Sequence, residues 1–155
     1  MKYFEDFSIG QVFEMGTRTV SAEQIIDFAR KYDPQPFHTD PEAAKQSMFG
    51  GLVASGWHTC ALFMSMLVAM IRREEMASMG SPGIDTCRWL TPVRPGDTLT
   101  GRLTVLSARR SASRPFGLVG TRSEMFNQHG EQVLLIEGMG MYGLRPAGNS
   151  AENAA

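Results

Sequence analysis

Apolar positions along the chain recur at two different spacings, and the switch between them divides it roughly in half. From Gln11 to Thr19, after the Ile9-Gly10 turn, Val12, Phe13 and Met15 stand among polar residues in a loose alternation that predicts a strand. Ser21 reads as an N-cap, Gln24 completes a capping box with it, and Val20 is placed to staple against Ile25. Ile25, Phe28, Ala29 and Tyr32 then follow at helical spacing and predict a short helix that ends at Asp33. Asp40 as N-cap and Pro41 as first residue open another helix, which Gly50-Gly51 breaks. The next helix starts near Ser55-Gly56 and runs to Ile71. It is apolar on nearly all faces, which predicts burial on several sides, before Arg72-Arg73-Glu74-Glu75 returns it to solvent.

From Gly83 onward the spacing falls to two. Ile84 to Pro92 is a candidate strand, and Val93 to Asp97 is a turn. Leu99, Gly101, Leu103 and Val105 alternate with Thr98, Thr100, Arg102 and Thr104, the pattern of a half-buried strand. Arg109 to Pro115 reads as a Ser/Arg loop, and Phe116–Phe126 and Gln132–Tyr142 as strands around an Asn127-Gln128-His129-Gly130 turn. Residues 1–145 are thus expected to form a single domain, and the small, polar residues 146–155 a disordered tail. A long buried helix followed by antiparallel strands predicts an α+β fold, a curved sheet packed on one helix. Such a sheet leaves an open face or edge, which pairing with a second copy would cover.

Composition narrows the function. A chain of 155 residues fits one domain and buries roughly 70% of its unfolded surface. A formal net charge of -1 argues against a nucleic-acid partner. Cys60 and Cys87 sit in apolar segments without metal-ligand spacing and are expected to be buried free thiols in a reducing compartment. The three histidines form no His-x-x-x-His pair, which argues against a metal. The N-terminus carries acids where a signal peptide needs an apolar run, and the apolar stretch Cys60–Ile71 is shorter than the roughly 20 residues a membrane span takes. The protein is therefore expected to be soluble and cytoplasmic, with no membrane partner.

The candidate chemistry lies in Asp33-Pro34-Gln35-Pro36-Phe37-His38. Two prolines remove two backbone donors and push Asp33 and Gln35 towards extended conformations, so a stiff loop can aim Asp33 and His38 at a common point. An acid and an imidazole so held suit proton transfer; the alternative is a turn aspartate beside an ordinary histidine. Gly56, at the start of the long helix, can offer a backbone N–H to an oxyanion, or can simply be a glycine at a helix start. His58 reads as a neutral packed histidine, and His129 as exposed and inert. Arg109, Arg110 and Arg114 can meet phosphates or form a solvated loop.

Asp33-Pro34-Gln35-Pro36-Phe37-His38 resembles the Asp-x-Asn-Pro-x-His loop of the MaoC-like dehydratases. Gly50 to His58 resembles that family's segment into the central helix, and Trp89 to Asp97 its aromatic-x-x-Pro-Val-x-x-Gly-Asp strand and turn. The resemblance, from about Phe7 to Leu144, implies a hot-dog fold, an antiparallel sheet wrapped around a long central helix, in a homodimer or higher oligomer. It also implies (R)-specific hydration of trans-2-enoyl-CoA, or the reverse dehydration of a 3-hydroxyacyl-CoA, with no cofactor beyond the CoA of the substrate. Asp33, His38 and Gly56 would be catalytic, and Gln35, Pro36, Phe37, Ser55, Trp57 and Arg114 would contact the substrate. Gln35 departs from the family's Asn, and Ser55 from the His that many members carry before the glycine. A thioesterase on the same fold and a non-catalytic acyl-CoA binding module are the rival readings.

Overall fold

The structure, a computed structural model, describes residues 1–148. Of the tail expected from residue 146, positions 149–155 lie outside the described residues. The elements run β1 (Val12–Thr19), α1 (Ala22–Tyr32), α2 (Pro36–Thr39), α3 (Pro41–Lys45), α4 (Gly56–Arg73), β2 (Gly83–Trp89), β3 (Thr98–Arg110), β4 (Phe116–Phe126) and β5 (Gln132–Gly143). The strands form one antiparallel sheet in the order β1-β3-β4-β5-β2. Register shifts between Glu14 and Gly16, Ile84 and Thr86, and Val105 and Ser107 curl it.

The alternation in β3 does what its spacing predicts. Leu99, Gly101, Leu103 and Val105 face inward and are buried, while Arg102 pairs outward with Glu124 of β4 at 3.0 Å. α4 lies across the concave face and buries Phe63, Met66 and Met70 against it. At Gly101 a Cβ would come within 3.2 Å of Met15 and 3.4 Å of the Met66 methyl, so glycine there lets the helix sit close to the strand.

Local capping chemistry holds the helices that lead to the site. Ser21 accepts from the Gln24 N–H and Gln24 returns a bond to the Ser21 N–H, while Val20 and Ile25 are both fully buried. Asp40 accepts from the Glu42 and Ala43 N–H groups and caps α3.

Four expectations are corrected. Gln35 is extended, as expected of a residue before proline, but the stretch after it is not a loop: at the first position of a helix the missing N–H of Pro36 costs nothing, and it opens the single turn α2. β2 stops at Trp89; the Leu90 N–H still donates to the Val133 carbonyl of β5 at 3.1 Å, and Thr91 and Pro92 leave the sheet. β3 continues through Arg109 and Arg110, which pair with Leu118 and Gly117 and shorten the loop. α4 is not covered all round: Trp57, Met64 and Val68 are exposed in the single chain, because the sheet covers one side of a helix. No helix among the described residues is long and apolar enough to cross a membrane.

Ile25 is wholly buried and anchors α1 in the core. Ile25→Ala is expected to destabilise the protein by about 2–5 kcal/mol, read as a lower urea midpoint at unchanged slope.

Candidate active site

Asp33 is the C-cap of α1, its N–H bonded to the Ala29 carbonyl at 2.9 Å. Five positions on, α2 carries His38 inward until the imidazole is buried. There its Nδ1 lies 2.6 Å from the Val53 carbonyl oxygen. A carbonyl only accepts, so Nδ1 carries a proton in either charge state, and in the neutral ring it is the Nε2 lone pair that faces Asp33. His38 Nε2 and Asp33 Oδ2 are 3.4 Å apart, beyond an ordinary hydrogen bond.

Leu52, Val53, Ala54 and Ser55 form a buried strap between the α2–α3 region and the sheet. Val53 N–H donates to Phe37 and Ala54 N–H to Val93, at 3.2 and 2.8 Å. The strap ends on Ser55, which caps α4 by accepting from the Trp57 N–H and donates its own proton to Asp33 Oδ2 at 2.7 Å. Gln35 Nε2 donates to the other oxygen, Oδ1, at 2.8 Å. The Ser55 bond is the largest of the effects that hold the Asp33 carboxyl below its ordinary value; partial burial opposes it, and Gln35 and the nearby His38 add to it.

These groups face a cleft of about 390 Å³ lined also by Phe37, Phe49, Trp57, Trp89 and Val133. The Gly56 N–H, at the first position of α4, meets no acceptor among the described residues. It points out of the positive end of an 18-residue helix, where a developing negative oxygen is stabilised. A Cβ at this position would sit 2.5 Å from the Trp89 indole, so the neighbouring ring by itself calls for glycine here.

The MaoC like domain model matches residues 6–124. The chain belongs to the MaoC-like domain family. A solved MaoC-like dehydratase from Rhodospirillum rubrum is 40% identical, superposes with a TM-score of 0.87, and covers 94% of this chain and 99% of its own. The (R)-hydratase from A. caviae involved in PHA biosynthesis, at 22% identity and a TM-score of 0.67 over 91% of this chain and 99% of its own, shares the hot-dog fold. Mesaconyl-CoA hydratase of Cereibacter sphaeroides is 27% identical over 86% of this chain, which spans 38% of that protein's length.

In this MaoC-like domain the structure brings together Asp33, Gln35, Phe37, His38, Ser55, Gly56 and Trp57. Two of the residues expected to contact substrate do not line this cleft. Pro36 is exposed on the outer side of α2 and does not line the cleft. Arg114 is exposed in the β3–β4 hairpin, beside the Gly143 end of β5, whereas Val133 and the cleft lie at its other end. Trp89, Leu90 and Val93 line the cleft although sequence reasoning gave them no site role; the aromatic-x-x-Pro-Val motif that contains them was the available signal.

The other titratable groups have separate settings. His58 stacks on Phe28 at 4.7 Å and 8°, and its buried Nδ1 has no partner among the described residues. His129 is exposed in its turn. Cys60 and Cys87 are free and half-buried rather than fully buried, 3.8 Å apart, and burial pushes the Cys60 thiol up to about 11.

Burial also lowers the His58 pKa from 6.5, so the unfolded chain takes up a proton there before the folded one does. Stability is therefore expected to fall as pH drops through 6.5, with no cost above it. His58→Gln should flatten that slope in urea titrations run between about pH 5 and 8. Gly56→Ala is expected to displace the Trp89 indole, read as a shift in tryptophan emission with a loss of about 1–3 kcal/mol of stability.

Proposed function

We propose that this protein is an (R)-specific enoyl-CoA hydratase, acting in reverse as a 3-hydroxyacyl-CoA dehydratase. One observation carries the reading: the Asp33 carboxylate and His38 Nε2, which is an acceptor in the neutral ring because Nδ1–H is bound to Val53, face each other 3.4 Å apart at the wall of a cleft. Two acceptors are satisfied together by a donor of two protons. A water molecule so held turns its own lone pairs into the cleft, towards C3 of an enoyl thioester. As the C3–O bond forms, one water proton passes to the Asp33–His38 pair, and the C2=C3 electrons move to the thioester oxygen. The Gly56 N–H is placed to receive that charge. Return of the proton to C2 completes addition of one water, with no other reactant needed. Kinship with the MaoC-like dehydratases, and with a relative named for hydration of a CoA ester, supports this chemistry.

We also infer a homodimer or higher homo-oligomer. Trp57, Met64 and Val68 on α4 and Ile84, Trp89 and Leu90 on or just past the edge strand β2 are exposed large apolar side chains, Trp57 packing on Trp89, beside the outer edge of β2, which no strand of this chain's sheet pairs. Monomeric proteins rarely leave such a patch and edge open.

Crotonyl-CoA is expected to lose its enoyl absorbance on adding the protein, with no thiol released. Asp33→Asn and His38→Ala should each lower kcat/KM by roughly 10²- to 10⁴-fold. Released thiol would mean a thioesterase instead, and binding without turnover a binding module. In sedimentation runs the wild type should show at least twice the 17.1 kDa chain mass, and Val68→Asp should shift it towards the monomer.

A further inference from the structure

Three groups converge on the Asp33 carboxylate, and only one of them faces the cleft as a base. We propose that Ser55 and Gln35 are positioning residues: together they occupy both oxygens of Asp33, hold it as a fixed acceptor aimed at His38, and leave His38 Nε2 as the atom that carries the proton between water and C2. The inference rests on the hydration reading above and assigns within it the roles of two side chains that were expected to contact substrate.

The direction of each hydrogen bond is fixed. A hydroxyl has one proton; the oxygen of Ser55 accepts from the Trp57 N–H at 3.2 Å, so its proton is free to point at Asp33 Oδ2, 2.7 Å away. Ser55 is wholly buried, which removes water as a competing partner. Gln35 can only donate to Asp33 through its amide nitrogen, at 2.8 Å. Its backbone is held in turn: its carbonyl accepts from the His38 N–H at 2.9 Å and the Thr39 hydroxyl at 3.2 Å, and its N–H donates to the Asp33 carbonyl at 2.8 Å. The side-chain nitrogen that completes the clamp thus comes from the same short turn that presents His38.

His38 is the one charged or titratable side chain that acts on Asp33; Arg30 and Lys31 in the last turn of α1, and Asp40 at the start of α3, are exposed. With both oxygens taken by donors, Asp33 is a poor proton acceptor and a good counter-charge. His38, whose Nδ1–H is committed to Val53, can gain a proton only at Nε2, where the imidazolium would face the carboxylate. Asp33 then orients the ring and stabilises its charge, and the proton travels on His38.

The test uses the full chain with Gln35→Met and Ser55→Ala, each checked for folding by circular dichroism. Carbon-13 titration of the Asp33 carboxyl, assigned by its loss in Asp33→Asn, is followed beside the pH profile of kcat and KM for crotonyl-CoA. In both variants the Asp33 midpoint and the acid limb of kcat should move up together. kcat should fall about tenfold to a hundredfold with KM little changed, as for a misplaced catalytic group. An unmoved Asp33 midpoint, or a moved midpoint with kcat intact, overturns the proposal. Gln35 is exposed, so its variant decides the matter if Ser55→Ala, which also loses a helix cap, does not fold. A wild type that hydrates no enoyl thioester would overturn the hydration reading and the proton-carrying role of His38; the titration would still report, by itself, whether the two donors clamp Asp33.

Discussion

The seating of α4 on the curled sheet is the contact on which the rest of the molecule depends. Phe63, Met66 and Met70 fill the concave face, and Gly101 gives Met66 the room to do so. Each such side chain gains roughly 1.5–3 kcal/mol on leaving water. Because sheet curvature and helix packing are mutually fitted, α4 has one axis and its N-terminus has one place. That place is beside the end of α1, which Ile25 and Ala29 anchor in the same core.

The site is the meeting of two helix ends. Asp33 caps the C-terminus of α1, where a carboxylate faces the negative end of a helix and is disfavoured. What offsets this comes from the other helix and from the turn between them. Ser55, at the positive end of α4, and Gln35, before α2, donate to its two oxygens. The same junction leaves the Gly56 N–H without an acceptor and sets it on the same cleft. A charged acceptor, an imidazole of fixed tautomer and a free N–H at a helix start thus arise from one packing arrangement, and Trp89 closes over Gly56 to wall it.

Much of the framework was legible because it is local. Ser21 with Gln24, and Asp40 with Pro41, stabilise helix starts through atoms three residues apart or fewer, so their signals survive without tertiary information. The inward set of β3 was readable for the same reason: a period of two needs no partner to be seen. α2 was harder, since a proline that forbids a helix interior also suits a helix start, and only its neighbours decide between them. The end of β2 and the length of β3 were not readable, because strand ends are set by pairing partners far along the chain.

The sequence by itself determined which residues are candidates for the chemistry and that two prolines stiffen the segment from Asp33 to His38. Prolines, caps and alternation act over a few bonds, and Asp33, His38 and Gly56 stand in recognisable local patterns. Tertiary structure decided what those residues do to one another. Ser55 is 22 positions from Asp33, and Val53 is 15 from His38. Yet these contacts hold the Asp33 carboxyl below its ordinary value and fix the Nδ1 proton of His38. It likewise decided that Trp89 rather than open space lies over Gly56, and that Arg114 lies at the far end of the sheet. The reason is physical: hydrogen-bond direction and burial depend on distances of a few ångströms between segments remote in sequence, and only the packing of α4 on the sheet fixes those distances.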